Sequence, residues 1–192
     1  DCKSVYDYLE RFEMPTMILQ DKEALRETAF EIIKHVAKQG LAYAEIRFAP
    51  QLHTQKGLSQ KDSVEAVLEG MRQATAVTPS IKIGIILCCM IAPENANRQA
   101  NFETVALAKE FNGKGVVGLD LAGPEGFVPM KEYAELFTDY QKEGYPLTIH
   151  AGDCDGPASV NEALNFKPTR IGHGHHCYDD PQVVQRVIDE NI

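Results

Sequence analysis

Thr148-Ile149-His150-Ala151-Gly152-Asp153 is the stretch on which the fold turns. A short apolar strand ends on a histidine, Gly152 permits a tight turn, and an acid follows three residues after the histidine. Neutral imidazole is a good zinc ligand, and a carboxylate nearby can shuttle protons. A structural histidine at a strand end is the plainer alternative, and the segment alone does not choose between them.

Working outward, the pattern recurs. Arg170-Ile171-Gly172-His173-Gly174 ends another short strand on a histidine flanked by glycines, which let a ligand or backbone come close. Taken alone, His173 reads as a turn histidine; beside the first motif, the functional reading gains. Gly118-Leu119-Asp120-Leu121-Ala122-Gly123 sets an acid inside an apolar strand, with small residues after it. A buried carboxylate needs partners, so Asp120 is either a site residue or a satisfied structural acid. Gly123 has a backbone N–H to offer a ligand.

Around these segments, helices and apolar strands alternate. Residues 22–39 read as a helix with Leu25, Ala29, Ile32, Ile33 and Val36 on one face and Gly40 as its stop. A strand is expected over 42–48 and a loop over 49–58. Ser59 and Asp62 resemble a capping pair that starts a helix burying Val64, Val67, Leu68 and Met71. The pattern then predicts a strand over 81–90, a helix over 97–111, a strand over 115–121 and a helix over 130–143. A strand over 147–151, a short helix over 157–164, a strand over 170–172 and a helix from Pro181 complete the chain.

Apolar strands joined by helices imply a parallel sheet covered on its faces. An open doubly wound sheet and a barrel both satisfy this. Asp120, His150 and His173 all lie at or just beyond the C-terminal ends of successive strands. A barrel gathers such ends at one site, whereas an open sheet spreads them along an edge. The expectation is therefore an α/β fold, an incomplete TIM (β/α)8 barrel of about five parallel strands alternating with helices, because a full barrel takes ~250 residues. Residues 1–192 read as a single domain without internal repeat, low-complexity tract or linker.

Composition narrows the function. A net charge of -9 argues against nucleic acid as the main partner, since phosphate neutralisation needs clustered Lys and Arg. It is compatible with a neutral or cationic small substrate. No apolar run approaches the ~18 residues of a membrane span. Cys2, Cys88, Cys89, Cys154 and Cys177 are odd in number and lack a C-x-x-C pair, which points to reduced, buried or incidental thiols in a cytoplasmic protein. The start, Asp1-Cys2-Lys3-Ser4, has neither an initiator Met nor a signal-peptide pattern and reads as a fragment boundary or processing site.

Ile46-Arg47-Phe48-Ala49-Pro50, Gly118 to Gly123, His150-Ala151-Gly152 and Arg170 to Gly174 together resemble the adenosine deaminases of the metal-dependent amidohydrolase superfamily, in order and in spacing. The resemblance runs from about Val5 to the C-terminus. It implies a (β/α)8 barrel, one zinc ion (Zn2+) per intact site, and hydrolysis of adenosine to inosine with release of ammonia. By position it makes His150 a zinc ligand and His173 the imidazole beside the water that zinc activates. Gly123 becomes a backbone donor to a purine ring nitrogen, and Asp153 the acid that protonates purine N1. The family carries Glu at that last position. Asp is one methylene shorter, and a misplacement of about an ångström can cost ~100-fold in rate.

The family's first strand also supplies His-x-His, and a late strand an aspartate ligand with an adjacent catalytic aspartate. Neither has a counterpart in these residues. A zinc site takes three or four ligands, so the resemblance implies a central fragment that binds zinc weakly and lacks useful activity. Its exposed strand edges would favour self-association. A purine nucleoside is the implied partner. Rival readings are an adenine deaminase of the same superfamily and a purine-binding protein that retains the fold without catalysis.

Four further signals are set aside. Gly113 to Gly118 matches G-x-G-x-x-G but precedes a strand, so it does not mark dinucleotide binding. Asp179-Asp180-Pro181 imitates the family's late aspartates, yet stands where a helix N-cap belongs. His173-Gly174-His175 has the spacing of a two-histidine metal pair, but the family match puts only His173 in the site and leaves His175 and His176 as solvated loop histidines. His53 reads as a loop contact.

Overall fold

Helix periodicity, capping residues and apolar strands produce the elements expected over most of the chain. The computed structural model describes residues 8–192; Cys2, the Asp1-Cys2-Lys3-Ser4 start and the first residues of the family resemblance lie outside the described residues. The helices are α1 Glu13–Ile18, α2 Lys22–Lys38, α3 Gln60–Val77, α4 Arg98–Glu110, α5 Ala134–Lys142, α6 Gly156–Leu164 and α7 Pro181–Asp189. The strands are β1 Tyr43–Phe48, β2 Lys82–Met90, β3 Val116–Ala122, β4 Leu147–Ala151 and β5 Arg170–His173. Two features were not anticipated. Helix α1 leaves Met14, Met17 and Ile18 exposed, so it lacks the apolar stripe by which helices are read. The helix expected over 130–143 begins with a 3-10 turn, Met130–Tyr133.

Contacts divide the described chain into two compact units. One comprises the residues up to Leu87 with Ala106–Val117, the other Cys88–Val105 with Gly118–Ile192. In the first unit, Ser59 and Asp62 form a reciprocal capping box. The Ser59 hydroxyl accepts from the Asp62 N–H at 3.0 Å, and the Asp62 carboxylate accepts from the Ser59 N–H at 3.0 Å. Lys22, in the first turn of α2, pairs with the same carboxylate at 2.5 Å and helps hold it well below the usual carboxylate range. Helix α2 buries Leu25, Ala29 and Ile33, whereas Ile32 is exposed, at the rim of the stripe expected for it.

Where α2 and α3 pack, Gly70 faces the α2 backbone. A Cβ there would collide with the carbonyl oxygen of Arg26 and lie 3.0 Å from the Ala29 Cβ. The expected loop contact of His53 is also present. Its Nδ1 lies 2.7 Å from the Leu19 carbonyl oxygen, and burial pushes its pKa down.

Strand β1 pairs in parallel with β2 from Tyr43↔Lys82 to Phe48↔Leu87. In the second unit β3 pairs with β4 through Asp120↔Thr148, and β4 with β5 through His150↔Gly172 and Ala151↔His173, both in parallel. Leu119, Leu121, Leu147 and Ile149 are fully buried, as are Tyr133, Phe137 and Tyr140 from the segment of α5 and Val160, Ala163 and Leu164 of α6. Each such aliphatic side chain stabilises the fold by roughly 1.5–3 kcal/mol.

The sheet order is β1-β2-β3-β4-β5, the order of the chain itself. A doubly wound sheet reverses direction at a switch point, as in the order 3-2-1-4-5 or 2-1-3-4-5. Sequential order with helical crossovers is the progression of a (β/α)8 barrel, and the expected fold class, five parallel strands alternating with helices, is the one found.

Two measurements test this account. Gly70→Ala should lower stability by roughly 1–3 kcal/mol in urea unfolding, because the collision outweighs alanine's better helix propensity. For His53, the unfolded chain takes up a proton near 6.5 and the folded chain only at lower pH. Its contribution is therefore intact above pH 6.5 and is lost as pH falls below it. His53→Gln should remove that part of the acid dependence of the unfolding midpoint; an unchanged pH profile would show that His53 is not its source.

Candidate active site

The chemistry-bearing residues gather in the second unit, at the C-terminal ends of β3, β4 and β5. Asp120 lies within β3, and its side chain has no solvent exposure. Its carboxylate oxygens lie 3.0 and 3.1 Å from Nδ1 of His150 on β4, and the Cys88 thiol donates to one of them at 3.7 Å. A buried carboxylate on Nδ1 keeps the proton there and fixes the ring, leaving Nε2 with its lone pair free to bind a metal. The partners that a buried carboxylate requires are thus His150 and Cys88, which suits both readings open for Asp120.

His173 reaches the same place by an unusual route. Its register partner is Ala151, so strand alternation would send it to the face opposite His150. Its backbone is left-handed instead, with φ 65°, and its ring centroid lies 5.0 Å from that of His150. A non-glycine residue in this conformation costs about 1–2 kcal/mol. Asp153, just after β4, completes the cluster, with its Oδ1 3.5 Å from His173 Nδ1. Both side chains are more than a third exposed, so water screens this pairing.

Gly123 also has a left-handed backbone, φ 122°, and a Cβ there would sit 3.1 Å from backbone and side-chain atoms of Ile91. The backbone conformation favours glycine and the close Ile91 contact adds to that preference, whatever the N–H goes on to bind.

Glu125 was missed by the sequence reading. Its buried carboxylate accepts from the Gly152 N–H at 2.9 Å, the Asp153 N–H at 3.0 Å and the Ser159 hydroxyl at 2.9 Å. It therefore anchors the turn that carries Asp153 and links it to α6. An acid two residues after Gly123, in an irregular segment, carries no periodic signal. Only its burial exposes its role.

The residues set aside behave largely as expected. Asp180 caps α7, accepting from the Gln182 N–H at 2.8 Å. His176, expected in a solvated loop, lies instead in a 3-10 turn, His175–Asp179, with its Nδ1 2.7 Å from Asp179. Gly113 to Gly118 leads into β3 and opens no helix. His175 differs: one of its ring nitrogens lies within 4.8 Å of ligand atoms of both Asp153 and His173.

A sequence model of the adenosine deaminase family matches residues 1–192. The chain belongs to the adenosine deaminase family. It is 45% identical over 193 residues to an adenosine deaminase of Haemophilus ducreyi, covering 99% of this chain and 56% of that protein. An adenosine deaminase of Clostridium botulinum is 40% identical over 194 residues, again with 56% of its length covered. The chain thus spans about half the length of these curated relatives.

Among solved structures, Arabidopsis ADAL in complex with IMP superposes with a TM-score of 0.85 at 24% identity, over 98% of this chain and 56% of that one. An adenine deaminase from Arthrobacter aurescens gives 0.84 at 22% identity, over 97% of this chain and 56% of that one. At such identities the likeness is one of fold. Among the described residues no helix is long and apolar enough to cross a membrane.

Glu125→Ala should cost on the order of 3 kcal/mol, since two backbone N–H groups and a hydroxyl lose their acceptor. Amide hydrogen exchange at Gly152 and Asp153 should accelerate with it. A variant as stable and as protected as the parent would remove Glu125 as the anchor of this turn.

Proposed function

We propose that the protein containing this chain is a zinc-dependent hydrolase that converts adenosine and water to inosine and ammonia. The observation that carries the reading is the imidazole of His150, tied through Nδ1 to the fully buried Asp120 and adjoining His173 and Asp153. Carboxylate-backed histidine is the usual setting of a zinc ligand. When bound, zinc lowers the pKa of a coordinated water, so that a nucleophile exists near neutral pH.

His150 would supply one ligand through Nε2, and a stable site would need two or three more. His173 takes up the proton of the attacking water. Asp153 donates a proton to purine N1 as the water oxygen bonds to C6; the C6–N bond then breaks, the 6-amino group leaving as ammonia with the proton held by His173, and the remaining hydroxyl proton returns to Asp153. Gly123 offers its N–H to a ring nitrogen. The substrate is a small purine nucleoside and not nucleic acid, consistent with the net charge of -9. A reducing, cytoplasmic setting is supported by Cys88, Cys89, Cys154 and Cys177 standing as thiols outside any disulfide.

A second reading rests on Asp153. An acid one methylene shorter than the family's glutamate favours a protein that binds purine without turning it over. Assays of the full-length protein separate the two. Adenosine should be consumed with stoichiometric ammonia, and Asp153→Glu should raise kcat by up to ~100-fold. Purine binding without ammonia release, in both parent and Asp153→Glu, would end the enzyme reading. Preferential turnover of adenine would move the assignment to the free base. The 192-residue chain by itself should show no useful turnover, and robust activity from it would contradict this account.

A further inference from the structure

We propose that Asp153, His173 and His175 form a binding site for a divalent first-row transition-metal ion, separate from the zinc proposed at His150. Each offers one ligand atom, and the three atoms lie within 4.8 Å of one another. Metal–ligand bonds of ~2.0–2.2 Å bring neighbouring ligands to roughly 3–4 Å. Asp153 Oδ1 and His173 Nδ1 already meet that spacing at 3.5 Å. The remaining closure is of the order of an ångström and falls on side chains that are all partly exposed.

The backbone that carries the three ligands is tied in advance. Gly174 N–H donates to the Ala151 carbonyl at 2.9 Å, and His176 N–H to the Gly152 carbonyl at 3.2 Å. These bonds lock the turn after β4, which bears Asp153, to the turn after β5, which bears the histidines. Successive left-handed residues, His173 and Gly174, fold the second turn back on itself. His175 in turn stacks on His176, with centroids 4.5 Å apart, and His176 is held by Asp179. The ligands therefore need little reorganisation, the condition for a site to form.

Two imidazoles and one carboxylate select the chemistry. Imidazole favours zinc, cobalt, nickel or iron(II) over magnesium and calcium, which take oxygen ligands. Three protein ligands leave at least one position for water. Two of the three are the residues to which proton transfer is assigned above. A metal held here would withdraw both from proton transfer, so its binding would inhibit the deamination proposed above; that consequence rests on the proposed function, but the metal site itself does not.

Cobalt(II) is the probe, since its ligand-field absorption reports the coordination directly. The protein should bind Co2+ with affinity reduced at least tenfold by His175→Ala and by Asp153→Asn. In His150→Ala, which removes the ligand proposed for the catalytic zinc, the cobalt spectrum attributed to this site should persist. His175 is exposed, so His175→Ala should keep the parent's unfolding midpoint, and that midpoint is measured alongside. Unchanged Co2+ affinity in His175→Ala, or loss of all cobalt binding in His150→Ala, overturns the proposal. A deaminase assay of full-length His150→Ala tests the other reading independently, because a failure there leaves the cobalt result standing.

Discussion

The carboxylate of Asp120 has no access to water, and the imidazole of His150 is its partner. An unpaired carboxylate in that position would face a desolvation cost of several kcal/mol. The strand positions are therefore constrained by more than backbone hydrogen bonding. The register Asp120↔Thr148 keeps β4 where the His150 ring can reach the acid. The direction of Nε2 follows from this pair, and His173 and Asp153 are then brought beside it by the left-handed backbone of the one and the Glu125-held turn of the other.

A second buried acid works on the backbone instead of a side chain. Glu125 accepts from two consecutive N–H groups and a hydroxyl, so the turn after β4 is held by an element that comes from the turn after β3. Neighbouring strands thus stiffen each other's loops, while the reactive groups stay accessible. This division of labour suits a catalyst, which needs rigid support for groups that remain open to substrate.

Much of this was legible in the sequence, because its signals are local. Apolar runs bounded by glycine gave the strands within about two residues, and Ser59 with Asp62 announced the cap of α3 before any contact was known. The three strand-end motifs also pointed to a barrel and to the adenosine deaminase family, which the family match bears out. What stayed hidden depends on three-dimensional proximity or on departures from periodicity. Glu125 sits in an irregular loop. The left-handed backbone of His173 breaks the very alternation by which strands are read. His175 looked like a solvated loop residue because its nearness to Asp153 arises from two hydrogen-bonded turns twenty-two positions apart in sequence. Ile32 shows the reverse error: helical periodicity put it on the apolar face, but only the stripe's centre is covered.

The strand order, identical to the order of synthesis, carries a consequence for how the chain acquires its shape. Each strand pairs with the one before it, so a closure spans a single crossover, 39 residues from Tyr43 to Lys82, 28 from Leu119 to Leu147 and 22 from Thr148 to Arg170, without waiting for the far end of the chain. Such topologies fold faster than those that wait for distant segments. A polypeptide leaving the ribosome can therefore extend the sheet one strand–helix step at a time, each new strand pairing with an edge already made.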